Sequence, residues 1–193
     1  MTHASARETA AEEIIGIDLG TRYALTACLR DGKPEIIPNR WGANRTPSVV
    51  AWTPDGFLGG EEALRMEIRD PSRVWWDLKR KIGSSWRGQC GVRPKTAEEI
   101  LTPLLVLLRE DAEAWLGTFV SSCVLTVPAY FSFSERSAIA RSGKSAGFRS
   151  IRIINEPTAA ALAFGRQGRF LVLDFGAGTA DISVVESERG VWQ

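Results

Sequence analysis

Apolar positions fall into short runs bounded by turn residues near the N-terminus, and into stretches of helical spacing further on. Ile14–Asp18 is a strand-like run ending in Asp-Leu-Gly-Thr, and Ala24–Leu29 reads as a second strand. Asp31-Gly32 is a two-residue hairpin signal, after which Glu35–Ile37 returns, so three antiparallel strands are predicted to open the fold. Pro47–Trp52 reads as another strand, closed by a turn at Pro54-Asp55-Gly56. Asp70 followed by Pro71, with Gly83 beyond, predicts a helical segment. Thr96 and Glu99 form a capping box ahead of Ile100, Leu104, Leu107, Leu108 and Trp115; Pro103 inside that pattern should kink the helix or sit near its first turns. Cys123–Val127 reads as a buried strand, and Ser132 with Glu135 caps a helix that ends at Gly147. Ile151–Ile154 is a strand, Pro157–Phe164 a short Ala-rich helix stopped by Gly165, and Phe170–Asp174 and Ile182–Val185 two more strands. This order predicts an α/β layered domain.

Composition narrows the functional classes. The 193 residues are 44% hydrophobic and 24% charged, the profile of a soluble globular chain. A net charge of +1 supplies no long-range field, so neither nucleic acid nor an anionic membrane is favoured as a partner. No apolar run approaches the length of a membrane span. Cys28, Cys90 and Cys123 are odd in number and lack a CxxC pair, which argues against a disulfide framework or zinc site and fits a reducing cytoplasm. Residues 1–13 are polar and Ala-rich and read as a disordered tail; they hold the sole histidine, His3, so histidine chemistry is excluded from the body.

The candidate chemistry lies in an internal echo. Ile14–Thr21 reads IIGIDLGT, and Phe170–Thr179 reads FLVLDFGAGT. Each is an apolar strand ending in Asp, a glycine turn, a Thr and a further strand. Glycines let backbone N–H groups approach phosphate oxygens closely, and an Asp beside them suits the water shell of Mg²⁺. One copy is an ordinary strand–turn–strand; two in matching context favour a clamp on one polyphosphate. Gly143-Lys144-Ser145 imitates the end of a P-loop, but Ala138 stands where its first glycine belongs, and the segment lies within a capped helix.

The segments IIGIDLGT, LKRKIG (Leu78–Gly83), LTVPAYF (Leu125–Phe131), RIINEPTAAALAFG (Arg152–Gly165) and LDFGAGTADISVVE (Leu173–Glu186) occur in one order, and that series resembles the seventy-kilodalton heat-shock chaperones over nearly the whole chain beyond the tail. The resemblance implies an actin-like (ribonuclease H-like) ATPase fold that takes ATP or ADP with Mg²⁺ and, in the complete protein, serves unfolded polypeptide clients with co-chaperones. It implies that Asp18 and Asp174 surround Mg²⁺ and the attacking water, with Asp181 as a further acid. Gly20, Thr21, Arg22 and Tyr23 would form the first phosphate loop, and Gly176, Ala177, Gly178 and Thr179 the second. Lys79 would polarise the water at the terminal phosphate, and Glu156 would link nucleotide state to lobe movement. Pro128 and Arg136 resemble a proline switch and its arginine relay. From sequence alone, Lys79 reads better as a surface lysine at a basic helix end beside Arg80 and Lys81, and only the resemblance reverses that; Glu156 is also an ordinary N-terminal helix acid, a role compatible with the other.

The resemblance also sets boundaries. Residues 14–40 and 116–173 would form the core subdomain of a first lobe, 41–115 a smaller inserted subdomain, and 174–193 the first hairpin of a second lobe. That lobe, which grips adenine and ribose in the family, is expected to be cut short at Gln193. The cut sheet is expected to self-associate through its C-terminal strands, or its tail to fold back irregularly. The short stretch Ser84–Lys95 suggests an inserted subdomain lacking a strand pair. Trp41, Trp52, Trp75, Trp76 and Trp86 cluster in that insertion and read as core packing. Arg22 and Ala177 depart from the family's usual Thr and Gly, which leaves open a non-catalytic nucleotide-binding relative. An actin-like cytoskeletal ATPase is the other alternative.

Overall fold

The computed structural model describes residues 13–177, 180–188 and 190–192. Strands β1 (Glu13–Leu19), β2 (Tyr23–Arg30) and β3 (Lys33–Ile37) form the antiparallel opening read from the sequence. Asp31 (φ 52°) and Gly32 (φ 74°) are both left-handed, which matches the twist of a two-residue hairpin. The short β4 (Thr46–Pro47) pairs with the start of β2. Next, β5 (Val50–Thr53), β6 (Gly56–Gly59) and β7 (Val74–Trp75) make a separate small sheet, with helix α1 (Gly60–Arg69) between its last two strands. A hairpin of β8 (Arg87–Cys90) and β9 (Arg93–Thr96) leads into the long helix α2 (Ala97–Leu116). Strand β10 (Val120–Val127) pairs parallel with β1, helix α3 (Phe133–Ser145) crosses over, and β11 (Ser150–Asn155) pairs parallel with β10. Helix α4 (Glu156–Phe164) connects to a last antiparallel sheet of β12 (Gly168–Phe175), β13 (Ala180–Glu188) and β14 (Val191–Trp192).

The main sheet runs β11-β10-β1-β2-β3, and its core follows from strand alternation. Ile15, Ile17 and Leu19 point into a cluster with Leu101, Leu104, Leu105 and Leu108 of α2. The period of two therefore sends Asp18 to the opposite, exposed face. Both capping boxes form: Thr96 accepts from the Glu99 N–H at 3.1 Å, and Ser132 from the Glu135 N–H at 3.3 Å. All three cysteines are buried and free. Burial alone lifts the Cys123 thiol to about 12, which suits a small core residue. Gly143 packs α3 onto β11, since a Cβ there would come within 2.8 Å of Ile151 Cδ1; the P-loop look-alike is a packing contact. Among the described residues, no helix is long and apolar enough to cross a membrane.

Several expectations need correction. The helix expected after Asp70 is two 3-10 turns, Pro71–Arg73 and Leu78–Lys81, separated by β7, whose Trp75 pairs with Val50 of β5. Glu13, assigned to the tail, begins β1, and residues 1–12 lie outside the described residues. The boundary at 173/174 falls inside β12, and β4, assigned to the insertion, belongs to the main sheet. The tail folds back, but in register rather than irregularly: Val191 pairs with Glu188, and Trp192 stacks on Phe170 with centroids 6.3 Å apart.

Candidate functional site

The two echoed hairpins each place an Asp at the end of a strand. Asp18 lies opposite Leu25 on β2, while Asp174 lies opposite Asp181 on β13. Between the hairpins is a cleft of about 240 Å³. The first hairpin contributes Asp18 and the turn Gly20-Thr21-Arg22-Tyr23 to it. That turn is too tight for a side chain at position 20, where a Cβ would collide with the Tyr23 carbonyl. The second hairpin contributes Asp174, Gly176 and Ala177. Gly178 and Thr179 lie outside the described residues.

Lys79 reaches the cleft from the segment between β7 and β8. Asp77, at φ 57°, turns the backbone into the 3-10 turn Leu78–Lys81, whose Leu78 is anchored in the core. Lys79 is 7% exposed, so it is not the surface lysine that its basic neighbours suggest. Its ammonium forms an ion pair with Glu156, the first residue of α4. Burial pushes the Glu156 carboxyl above the ordinary carboxylate range; Lys79 pulls it back, and the Asp18 and Asp174 charges push it further up. The cleft thus holds a buried ion pair among additional carboxylates, an arrangement typical of sites that handle charge.

Other contributors were not singled out from the sequence. Thr126 donates to Asp18 Oδ1 at 2.6 Å from the neighbouring strand β10 and fixes that carboxylate. Arg80 and Tyr130 also line the cleft. The Tyr130 hydroxyl is raised by burial and by the nearby Asp181 and Glu156 charges. Thr126 is legible only through strand register, and Tyr130 only as part of the Pro128–Phe131 run. Asp181 lies elsewhere: it lines an adjoining pocket of about 220 Å³ that shares Asp174, Glu156, Pro128 and Tyr130 with the cleft. Arg136 ties down the loop between them, donating to the carbonyls of Phe131 at 2.9 Å and Ala129 at 3.1 Å.

A larger groove of about 640 Å³ runs between α2 and α3. Two of its cations are already answered, Lys95 by Glu99 at 2.9 Å and Arg141 by Glu98 at 3.6 Å. Size alone is a poor guide here, and the smaller cleft holds the convergent chemistry.

Comparison with known proteins decides the family. The model of the Hsp70 protein family matches residues 14–193. The chain belongs to the Hsp70 family. It is 43% identical over 187 residues to the chaperone protein DnaK of Thermotoga petrophila, covering 93% of this chain and 31% of that relative. The DnaK of Thermotoga sp. strain RQ2 matches equally, with the same coverage. The chain therefore spans about a third of the length of these Hsp70 relatives, and the matched part contains both hairpins, Lys79 and Glu156.

The donors are chemically suited to a nucleotide with a hard divalent cation. Asp18 and Asp174 offer only oxygen, as a hard cation requires, and both line the cleft with the tight Gly20 turn. No three acidic, Cys or His side chains among the described residues gather closely enough to hold a metal by themselves. Mg²⁺ keeps several waters and bridges phosphates, so two carboxylates on its water shell are a fitting complement.

Proposed function

We propose that the cleft between the two hairpins binds the phosphates of MgATP, and that within the longer polypeptide of its relatives this module hydrolyses ATP to control the binding of unfolded polypeptides. The supporting observation is the convergence of Asp18, Asp174, the Lys79–Glu156 pair and both glycine turns on one cleft of an Hsp70-family chain. In this reading the six-stranded sheet is the core of a first lobe of the actin-like fold, the small sheet and its flanking helices are the insertion, and the β12–β13 hairpin begins a second lobe.

The chain's own groups divide the work. Backbone N–H groups of the two turns would hold phosphate oxygens, and Asp18, kept in place by Thr126, and Asp174 would orient water around the metal. Bound Mg²⁺ would neutralise phosphate charge. Lys79, released from Glu156 by a competing phosphate, would stabilise charge developing on the transferred group. Glu156 opens α4 beside Pro128 and Tyr130, so its release reaches the loop held by Arg136. Asp181 would act from the adjoining pocket.

Co-chaperone binding and a cytoplasmic setting belong to the same proposal, the latter fitting three free buried cysteines. Self-association is proposed through β12, whose outer edge has no strand partner among the described residues. The deciding experiment uses the full-length protein. Lys79→Ala should nearly abolish single-turnover hydrolysis, a loss of about 3–4 kcal/mol of transition-state stabilisation, while ATP binding survives. Unchanged turnover removes Lys79 from the mechanism, and absence of turnover in the unmutated protein favours a non-catalytic relative.

A further inference from the structure

The first turn carries a cation that its family resemblance does not account for. Arg22 stands where the family usually has Thr, and its guanidinium lies over the indole of Trp76, 4.8 Å from the ring centroid. That platform is itself fixed, because Trp76 Nε1 donates to Glu67 Oε1 on α1 at 2.8 Å. The backbone of Arg22 is fixed as well, its carbonyl accepting from the Ser48 N–H at 2.9 Å. Arg22 is one of the residues lining the cleft, with Lys79 and Arg80. Lys79 is occupied by Glu156, whereas Arg22 has no carboxylate partner among the described residues. Arg80 lies on the exposed side of its 3-10 turn and has no aromatic platform among the described residues. Stacking restrains a guanidinium before any anion arrives, yet leaves its in-plane N–H donors free to make a bidentate contact with phosphate.

We propose that Arg22, pre-positioned by Trp76, is a phosphate-binding residue of this cleft and makes it select nucleotides by their number of phosphates. This rests on the reading of the cleft as a nucleotide-phosphate site. An arginine that merely staples the turn to the insertion would show the same stacking, but its removal would not change one nucleotide's affinity more than another's.

The test is calorimetric titration of the full-length protein with MgATP, MgADP and adenosine, using wild type, Arg22→Thr, Arg22→Lys and Trp76→Leu. Arg22→Thr is expected to weaken MgATP about tenfold, MgADP less, and adenosine not at all. Arg22→Lys should recover part of the loss, since it keeps the charge without the planar fork. Trp76→Leu should weaken MgATP in the same order of ligands with Arg22 still present. A loss in Arg22→Thr that is equal for all three ligands, or absent, overturns the proposal while leaving the nucleotide site standing. A wild-type full-length protein that binds neither nucleotide overturns both. Arg22 is exposed and outside the core, and Arg22→Lys provides a second folded comparison.

Discussion

The two hairpins that face the cleft are built on the same sequence plan but held in opposite ways. The first is the centre of a six-stranded sheet: β1 has β10 on one side and β2 on the other, and Ile15, Ile17 and Leu19 are sealed against α2. Its Asp18 is held by Thr126. The second hairpin pairs with itself and with the two residues of β14. Helix α4 covers one of its faces, where Val185 is buried, while Leu171, Leu173, Phe175, Ile182 and Val184 line the other in exposed positions. Asp174 has no hydrogen-bond or ion-pair partner among the described residues, and its cross-strand neighbour is another acid. One wall of the cleft is thus pre-organised by its surroundings, and the other carries the same chemistry on a more weakly supported frame. The comparison locates the rigidity of the site in the neighbours of a motif rather than in the motif.

The largest expected effect breaks that contrast directly. Ile17→Ala removes a fully buried side chain and should cost about 3 kcal/mol, whereas Leu173→Ala, already half exposed, should change stability by less than about 0.5 kcal/mol. Chemical denaturation of the two variants measures both. Equal costs would mean that the second hairpin is as firmly packed as the first.

How much was legible in the sequence divides along similar lines. The Asp31-Gly32 turn, both capping boxes and the end of α4 at Gly165 are written in adjacent residues and appear as read. Helix α1 was missed because it starts at Gly59-Gly60 without a capping side chain, and its buried positions are the small residues Gly60 and Ala63 rather than a run of large apolar ones. The false helix after Asp70 shows the converse: Asp-Pro is a start signal, but pairing of Val74 and Trp75 with β5 wins over continued helix. The Lys79–Glu156 pair joins residues 77 positions apart, and no local pattern encodes it. Thr126 against Asp18 depends on the register of two strands 108 positions apart.

The next effect is smaller and sharpens the contrast at the carboxylates. Thr126→Val removes the donor to Asp18 and should cost about 1 kcal/mol of stability, with weaker MgATP binding, because a neutral hydrogen-bond donor to a carboxylate is lost. Denaturation and calorimetry on the same variant test it; unchanged binding would mean that Asp18 needs no such support. In the second hairpin the sign reverses. Asp181→Asn relieves the like-charge pair with Asp174 and should stabilise β12–β13 by about 0.5 kcal/mol. Slower amide exchange at Val172 and Ser183 would show it, and faster exchange would count against repulsion there.

The weakest signal comes from pH. The Glu156 carboxyl holds its proton more tightly folded than unfolded, so its contribution to stability is greatest below the ordinary value of 4.5. That contribution is lost as pH rises through the raised folded value and is constant above it. Glu156→Gln should flatten this part of the stability profile. A slope that persists unchanged in the variant assigns it to another group.

The central claim is that two separately built hairpins grip one polyphosphate, and an amide-resolved NMR titration of the chain with MgATP tests it most directly. The account predicts that the amides of Gly20, Thr21 and Arg22 and those of Gly176 and Ala177 shift together along one saturation curve. Shifts confined to one hairpin, or curves with different midpoints, would contradict it.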